Sequence, residues 1–132
     1  MENELFWLTL TISITALYWV PYIINRILEH GLWPALQNPQ RDARPKADWA
    51  NRMMYAHDNA VENLIIFAPL VLLLQAKGVS TDLTQLAAMT FFFARVAHFL
   101  IYTCGVPFFR TLAFFVGFLC QMTLALTALS IL

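Results

Sequence analysis

The sequence predicts an all-α integral membrane protein, a bundle of four spanning helices. Three observations lead there. The chain is 60% hydrophobic and 12% charged, with a mean hydropathy of +0.63, whereas a soluble domain carries about 25% charged residues. It holds four apolar stretches long enough for the roughly 20 residues that cross a bilayer as a helix. Runs such as APLVLLL and TLALTALSIL do not alternate apolar with polar, as the strands of a membrane barrel would.

The first helix is expected over about 5–28. It carries Trp7 and Trp19, and Pro21 should kink it or loosen a turn. Its acidic start, MENELFW, lacks the basic n-region of a secretory signal, so the helix is expected to stay in the mature chain. Near its end, Arg26 and His30 stand four residues apart and share a face. Residues 31–48 follow as a loop, because Pro34, Pro39 and Pro45 prevent a continuous helix. Trp33 and Trp49 suit the membrane interface.

The second helix is expected over about 49–75, with Asp48 as its cap and Pro69 inside it. Bundled neighbours can repair the bond that a proline removes. The turn AKGVSTD ends in Ser80, Thr81 and Asp82, good N-caps for a third helix over about 83–104. A fourth helix, about 107–132, opens with Pro107, a residue suited to a first turn. The three connections leave no room for a soluble domain, so one transmembrane domain is expected over 1–132.

Lys and Arg placement sets an expected orientation. Arg26, Arg41, Arg44, Lys46, Arg52 and Arg110 gather at one end, and Lys77 stands at the other. The 29–48 loop is therefore expected in the cytoplasm and both termini outside. Formal net charge is zero, and nothing points to nucleic acid. Cys104 and Cys120 form no CxxC or Cys/His metal spacing; two buried thiols and no metal are expected.

Ionisable residues inside spans cost at least about 2.5–3.5 kcal/mol each and so turn inward to partners. Spacing orders them. Arg52, Tyr55, Asn59 and Glu62 form one stripe on the second helix, and Arg95, His98 and Tyr102 another on the third. Glu62 and Arg95 fall at similar depth across the short turn, so a buried Glu62–Arg95 pair is expected. Asn59 and Glu62 should face the bundle, with His57, Asp58 and Asn63 on other faces. Arg110 enters in the first turn of the fourth helix, whose N-terminus already favours an anion. An arginine there would also favour a thiolate. These groups could hold a small, multiply charged ligand within reach of a lipophilic one.

Two motifs, AHDNAVENL at 56–64 and FFFARVAHFLIYTCG at 91–105, together with NPQRD at 38–42, resemble the membrane-associated proteins in eicosanoid and glutathione metabolism, the MAPEG superfamily. Length and helix layout agree over nearly the whole chain, and the sequence looks most like bacterial, microsomal glutathione transferase-like members. The resemblance implies a homotrimer in a bacterial inner membrane, with glutathione as co-substrate between neighbouring subunits near the cytosolic side. It assigns Asn59, Glu62, Arg95, His98 and Tyr102 to glutathione contacts. It places Arg110 by the sulfur with Thr111 beside it, and Arg26 or His30 as a basic contact from the first helix. Arg110 and Tyr102 become the catalytic candidates, and Arg41 and Asp42 fall in the region of a family loop aspartate. In one branch of the family the position of Asp58 is an arginine, so the charge is reversed here.

The implied activity is that of a glutathione-dependent transferase or peroxidase acting on lipophilic electrophiles or hydroperoxides. The alternatives are a non-catalytic glutathione- or lipid-binding scaffold and a small transporter whose Glu62, His98 and Arg95 relay protons or substrate. Inverted repeats, which would favour transport, are not visible in the sequence.

Overall fold

A computed structural model describes residues 2–38 and 44–132. Among them there is no strand. The first span is α1 (Glu2–Leu17) followed by α2 (Trp19–His30), and α3 (Leu32–Leu36) is a short extra helix. The other three spans are α4 (Asp48–Ala76), α5 (Asp82–Cys104) and α6 (Pro107–Ala128). All four are long and apolar enough to cross a membrane. Pro39, Arg41 and Asp42 lie outside the described residues.

Helix boundaries follow local chemistry. The interruption between α1 and α2 falls at Tyr18, next to Leu17, whose carbonyl Pro21 cannot use. There Tyr18 N bonds back only three residues, to Thr15 O at 3.3 Å. Thr81 caps α5 in a reciprocal arrangement with Thr84. Pro107 opens α6 as expected. Asp48, expected as the cap of α4, is instead its first-turn acid; the N-cap is Ala47, with no side-chain bond. The capping work passes to Glu29 of α2. Its carboxylate accepts Lys46 N at 3.0 Å and Ala47 N at 3.1 Å. The fourth span ends at Ala128, four residues earlier than expected.

Two apolar clusters hold the bundle. Toward the end with both termini, Leu8, Phe67, Val71, Leu74, Phe91 and Leu124 pack together, and Phe67 stacks on Phe91 at 3.9 Å. Toward the end with the 31–47 connection, Tyr18, Met53, Ala56, Ala60 and Phe99 form the second cluster, with Tyr18 stacked on Phe99 at 3.6 Å. Phe67, Val71, Leu74 and Phe91 have no exposed surface. Glu4, just before the expected helix start, also lies wholly inside. Its carboxylate accepts hydrogen bonds from Ser80 and Thr84 at 2.8 and 2.6 Å.

Gly105 closes α5 in the left-handed region, at φ 81°. A Cβ there would also lie 3.1 Å from Cζ of Arg52, which is held in place by donating Nε to Thr103 O at 3.0 Å. Gly105→Ala should therefore lower stability by about 1–2 kcal/mol. Gly78 has φ 66° but open space around it, so Gly78→Ala should lower it less. Thermal unfolding of both variants in detergent checks the order.

Candidate functional site

Four polar residues inside the bundle form one connected chain across three helices. Gln121 of α6 donates Nε2 to Asn63 O and Oδ1 at 3.2 and 3.3 Å. Asn63 donates Nδ2 to Asn59 O and Oδ1 at 2.9 and 3.2 Å. Arg95 of α5 donates Nη2 to the same Asn59 Oδ1 at 2.6 Å. Arg95, Asn63 and Gln121 are all buried.

The expected Glu62–Arg95 pair is not formed. Glu62 is exposed on α4, and Arg95 reaches Asn59 instead. Three residues separate Glu62 from Asn59, which turns the carboxylate about 60° round the helix from the amide. Glu62 therefore does not face the bundle, while Asn59 does. Asn63, assigned to another face, is the centre of the interior chain. Neither Asn63 nor Gln121 was a candidate. The signal for Gln121 is an amide within the apolar stretch GFLCQMTLA, which stands in neither of the two polar stripes. His57 does face a neighbouring helix, where Nδ1 meets Tyr22 OH at 2.7 Å.

Beside the interior chain lies a cleft of about 190 Å³ lined by Asn59, His98, Tyr102, Arg110, Thr111 and Phe114. Five of these six are residues that the sequence singles out, and Phe114 adds an apolar wall. Three helices supply them. Asn59 comes from α4, His98 and Tyr102 lie one turn apart on α5, and Arg110, Thr111 and Phe114 come from the start of α6. The Arg110 guanidinium sits 4.5 Å from the centre of the Tyr102 ring, in cation–π range. His98 packs edge-on against Tyr102 with centroids 5.7 Å apart.

The electrostatics are one-sided. Nε and Nη1 of Arg95 and Nδ1 of His98 are buried without a hydrogen-bond partner among the described residues. No acidic residue lines the cleft. Among the described residues the ion pair within 4 Å is His30–Glu29, away from this place. A cleft lined by Arg110 near the start of α6, with Arg95 bonded behind Asn59, suits an anionic ligand. Phe114 and the exposed Phe115 and Phe118 of α6 give an apolar approach.

Arg26 and His30 are elsewhere. They line a separate pocket with Tyr22, Glu29 and Arg44. Tyr55, second member of the expected stripe on α4, is exposed, and Arg52 is committed to Thr103. Cys120 is buried as expected, but Cys104 is exposed at the end of α5. Among the described residues no group of three His, Cys, Asp or Glu is placed to hold a metal.

The model of the MAPEG family matches residues 5–130, which include every residue of the cleft. The chain belongs to the MAPEG family. With its four apolar spans, it is an integral membrane protein. No curated protein and no solved structure matches it.

Asn59→Leu removes the acceptor shared by Arg95 and Asn63. It should destabilise the MAPEG bundle by about 3 kcal/mol, because it leaves a buried guanidinium without its bond. Glu62→Gln, which touches no interior bond, should change stability by less than about 0.5 kcal/mol. Parallel thermal unfolding in detergent separates the two.

Proposed function

We propose that the protein is a membrane-embedded, glutathione-dependent transferase or peroxidase acting on lipophilic electrophiles or hydroperoxides. The observation that carries this reading is the cleft between α4, α5 and α6. It joins Arg110, Tyr102, His98, Asn59 and Thr111 beside an apolar wall. Glutathione carries two carboxylates, and a cleft lined by basic and amide groups without an acid is suited to such a ligand. The unpartnered Nδ1 of His98 adds a polar contact.

The thiol supplies a nucleophile that adds across an activated double bond or displaces a leaving group from carbon; used twice, it supplies the two electrons that reduce a hydroperoxide to an alcohol and water with release of a disulfide. The chain's own part is electrostatic. Arg110, in the first turn of α6, stabilises negative charge on sulfur together with the helix N-terminus. Tyr102 holds the guanidinium over its ring and offers a hydroxyl that can orient the thiol. Thr111 adds a second hydroxyl at the same turn. Arg95 acts from behind Asn59, as a positioning residue and as fixed positive charge.

A homotrimer fits the same reading. Glu62 is exposed on a membrane-spanning helix. A charge facing lipid costs at least about 2.5–3.5 kcal/mol on insertion scales, and a neighbouring copy covering that face removes the cost. The basic end would face the cytoplasm of a bacterial inner membrane, in line with its arginines.

Ultraviolet absorbance of the thiolate during glutathione titration of the detergent-purified protein tests the enzyme reading. A free thiol with a pKa of about 8.5 is roughly 3% ionised at pH 7. The bound thiol should be mostly ionised, approaching one thiolate per site, and Arg110→Ala should return it toward the free value. Glutathione binding without thiolate would favour a scaffold, and no binding would sink both readings and favour transport.

A further inference from the structure

The pocket formed by Arg26, His30 and Arg44 with Tyr22 and Glu29 belongs to no part of the cleft. Its volume is about 50 Å³, enough for a phosphate-sized group and too small for a tripeptide. Its charge is unbalanced. Glu29, its one carboxylate, is already used. Oε1 accepts from Asn25 at 3.0 Å and from Ala47 N at 3.1 Å, and Oε2 accepts from Lys46 N at 3.2 Å. His30 stands 3.7 Å from that carboxylate. Among the described residues, neither Arg26 nor Arg44 has a carboxylate within 4 Å. Tyr22 OH is engaged by His57. Two guanidinium groups and His30 thus share the pocket with a single carboxylate among the described residues.

The surroundings suit a lipid surface. No residue of α2 or α3 is buried. Leu28, Leu32, Trp33 and Leu36 are 80%, 61%, 71% and 68% exposed, and none of the described residues covers them. They stand where the first span ends, and Trp49, also exposed, opens the second. Apolar side chains beside a basic cluster make an interfacial anchor. Tryptophans sit at headgroup level, and guanidinium groups take phosphate oxygens through paired N–H donors.

We propose that Arg26, His30 and Arg44 bind the phosphate of an anionic phospholipid headgroup, in the leaflet at this end of the bundle. Exposed Ile24, Leu28 and Leu32 lie along its acyl chains. Glu29 sets the geometry by tying the end of α2 to the start of α4, so a bound lipid braces the joint between the first two spans. The site is independent of the thiol reading of the cleft.

The test uses the full chain in detergent micelles. Native mass spectrometry counts bound phosphatidylglycerol against phosphatidylcholine, with inorganic phosphate as a third arm. Wild type should retain phosphatidylglycerol preferentially. One arginine near an anionic headgroup contributes about fivefold in affinity, so Arg44→Gln should lose about fivefold of the preference and Arg26→Gln/Arg44→Gln roughly 25-fold. Arg26→Lys/Arg44→Lys should keep most of it, as should Lys77→Gln at the opposite end. Arg44 is exposed, so the single variant serves if the double one does not fold. Equal retention of the two lipids would overturn the proposal. So would inorganic phosphate binding as tightly as phosphatidylglycerol, which would mark a site for a soluble anion. A double variant that loses glutathione affinity while keeping its lipid preference would also overturn it and give the pocket to the thiol co-substrate.

Discussion

A buried polar group inside a membrane bundle has no water to turn to, and the hydrogen-bond chain Gln121–Asn63–Asn59–Arg95 is this protein's answer. The chain joins α4, α5 and α6, with apolar packing toward both ends of the bundle. Apolar packing alone tolerates small rotations of one helix against another. A directional chain of this kind does not, because each rotation breaks a bond that nothing else replaces. Asn59 is both a link in the chain and a wall of the cleft. The contact that fixes the register of the helices thus also fixes where Arg110, Tyr102 and His98 stand relative to α4.

Helix ends are secured by a second device, charged side chains reaching across from a neighbour. Glu29 of α2 satisfies backbone donors at the start of α4, and Arg52 of α4 satisfies a carbonyl at the end of α5. Each places its charge at the helix terminus where the macrodipole favours it. At the other end of the bundle, Lys77 donates to the carbonyl of Ala128. Buried Glu4 gathers the hydroxyls that begin α5. Much of the polar inventory is therefore structural, which narrows the functional reading to the cleft.

Spanning helices were legible because apolar length is a one-dimensional property. Turn chemistry read well for the same reason: Pro21, Thr81 and Pro107 act within a turn of where they stand. The cleft was legible in part. His98 and Tyr102 share a face by spacing, and Arg110 follows at the next helix start. Their meeting with Asn59 depends on helix rotation, which spacing along one helix does not define. Glu29 was invisible as a cap because it acts 17 and 18 positions away in sequence. Gln121 stands alone in an apolar helix, outside the polar stripes of the second and third helices, yet in lipid a lone amide has the same need of a partner.

The misplaced Glu62–Arg95 pair explains the character of the cleft. Rotation about α4 turns Glu62 outward, and Arg95 bonds the amide of Asn59 instead. An amide oxygen satisfies one N–H and leaves the charge in place, whereas a carboxylate would have cancelled it. The bundle therefore retains an uncompensated positive charge behind the cleft, with Arg110 in front of it. In a medium of low dielectric that field is weakly screened. Its natural complement is an anion entering between Asn59 and Arg110. An amide rather than an acid as the partner of Arg95 at the centre of the bundle is what leaves the cleft without a neutralising carboxylate.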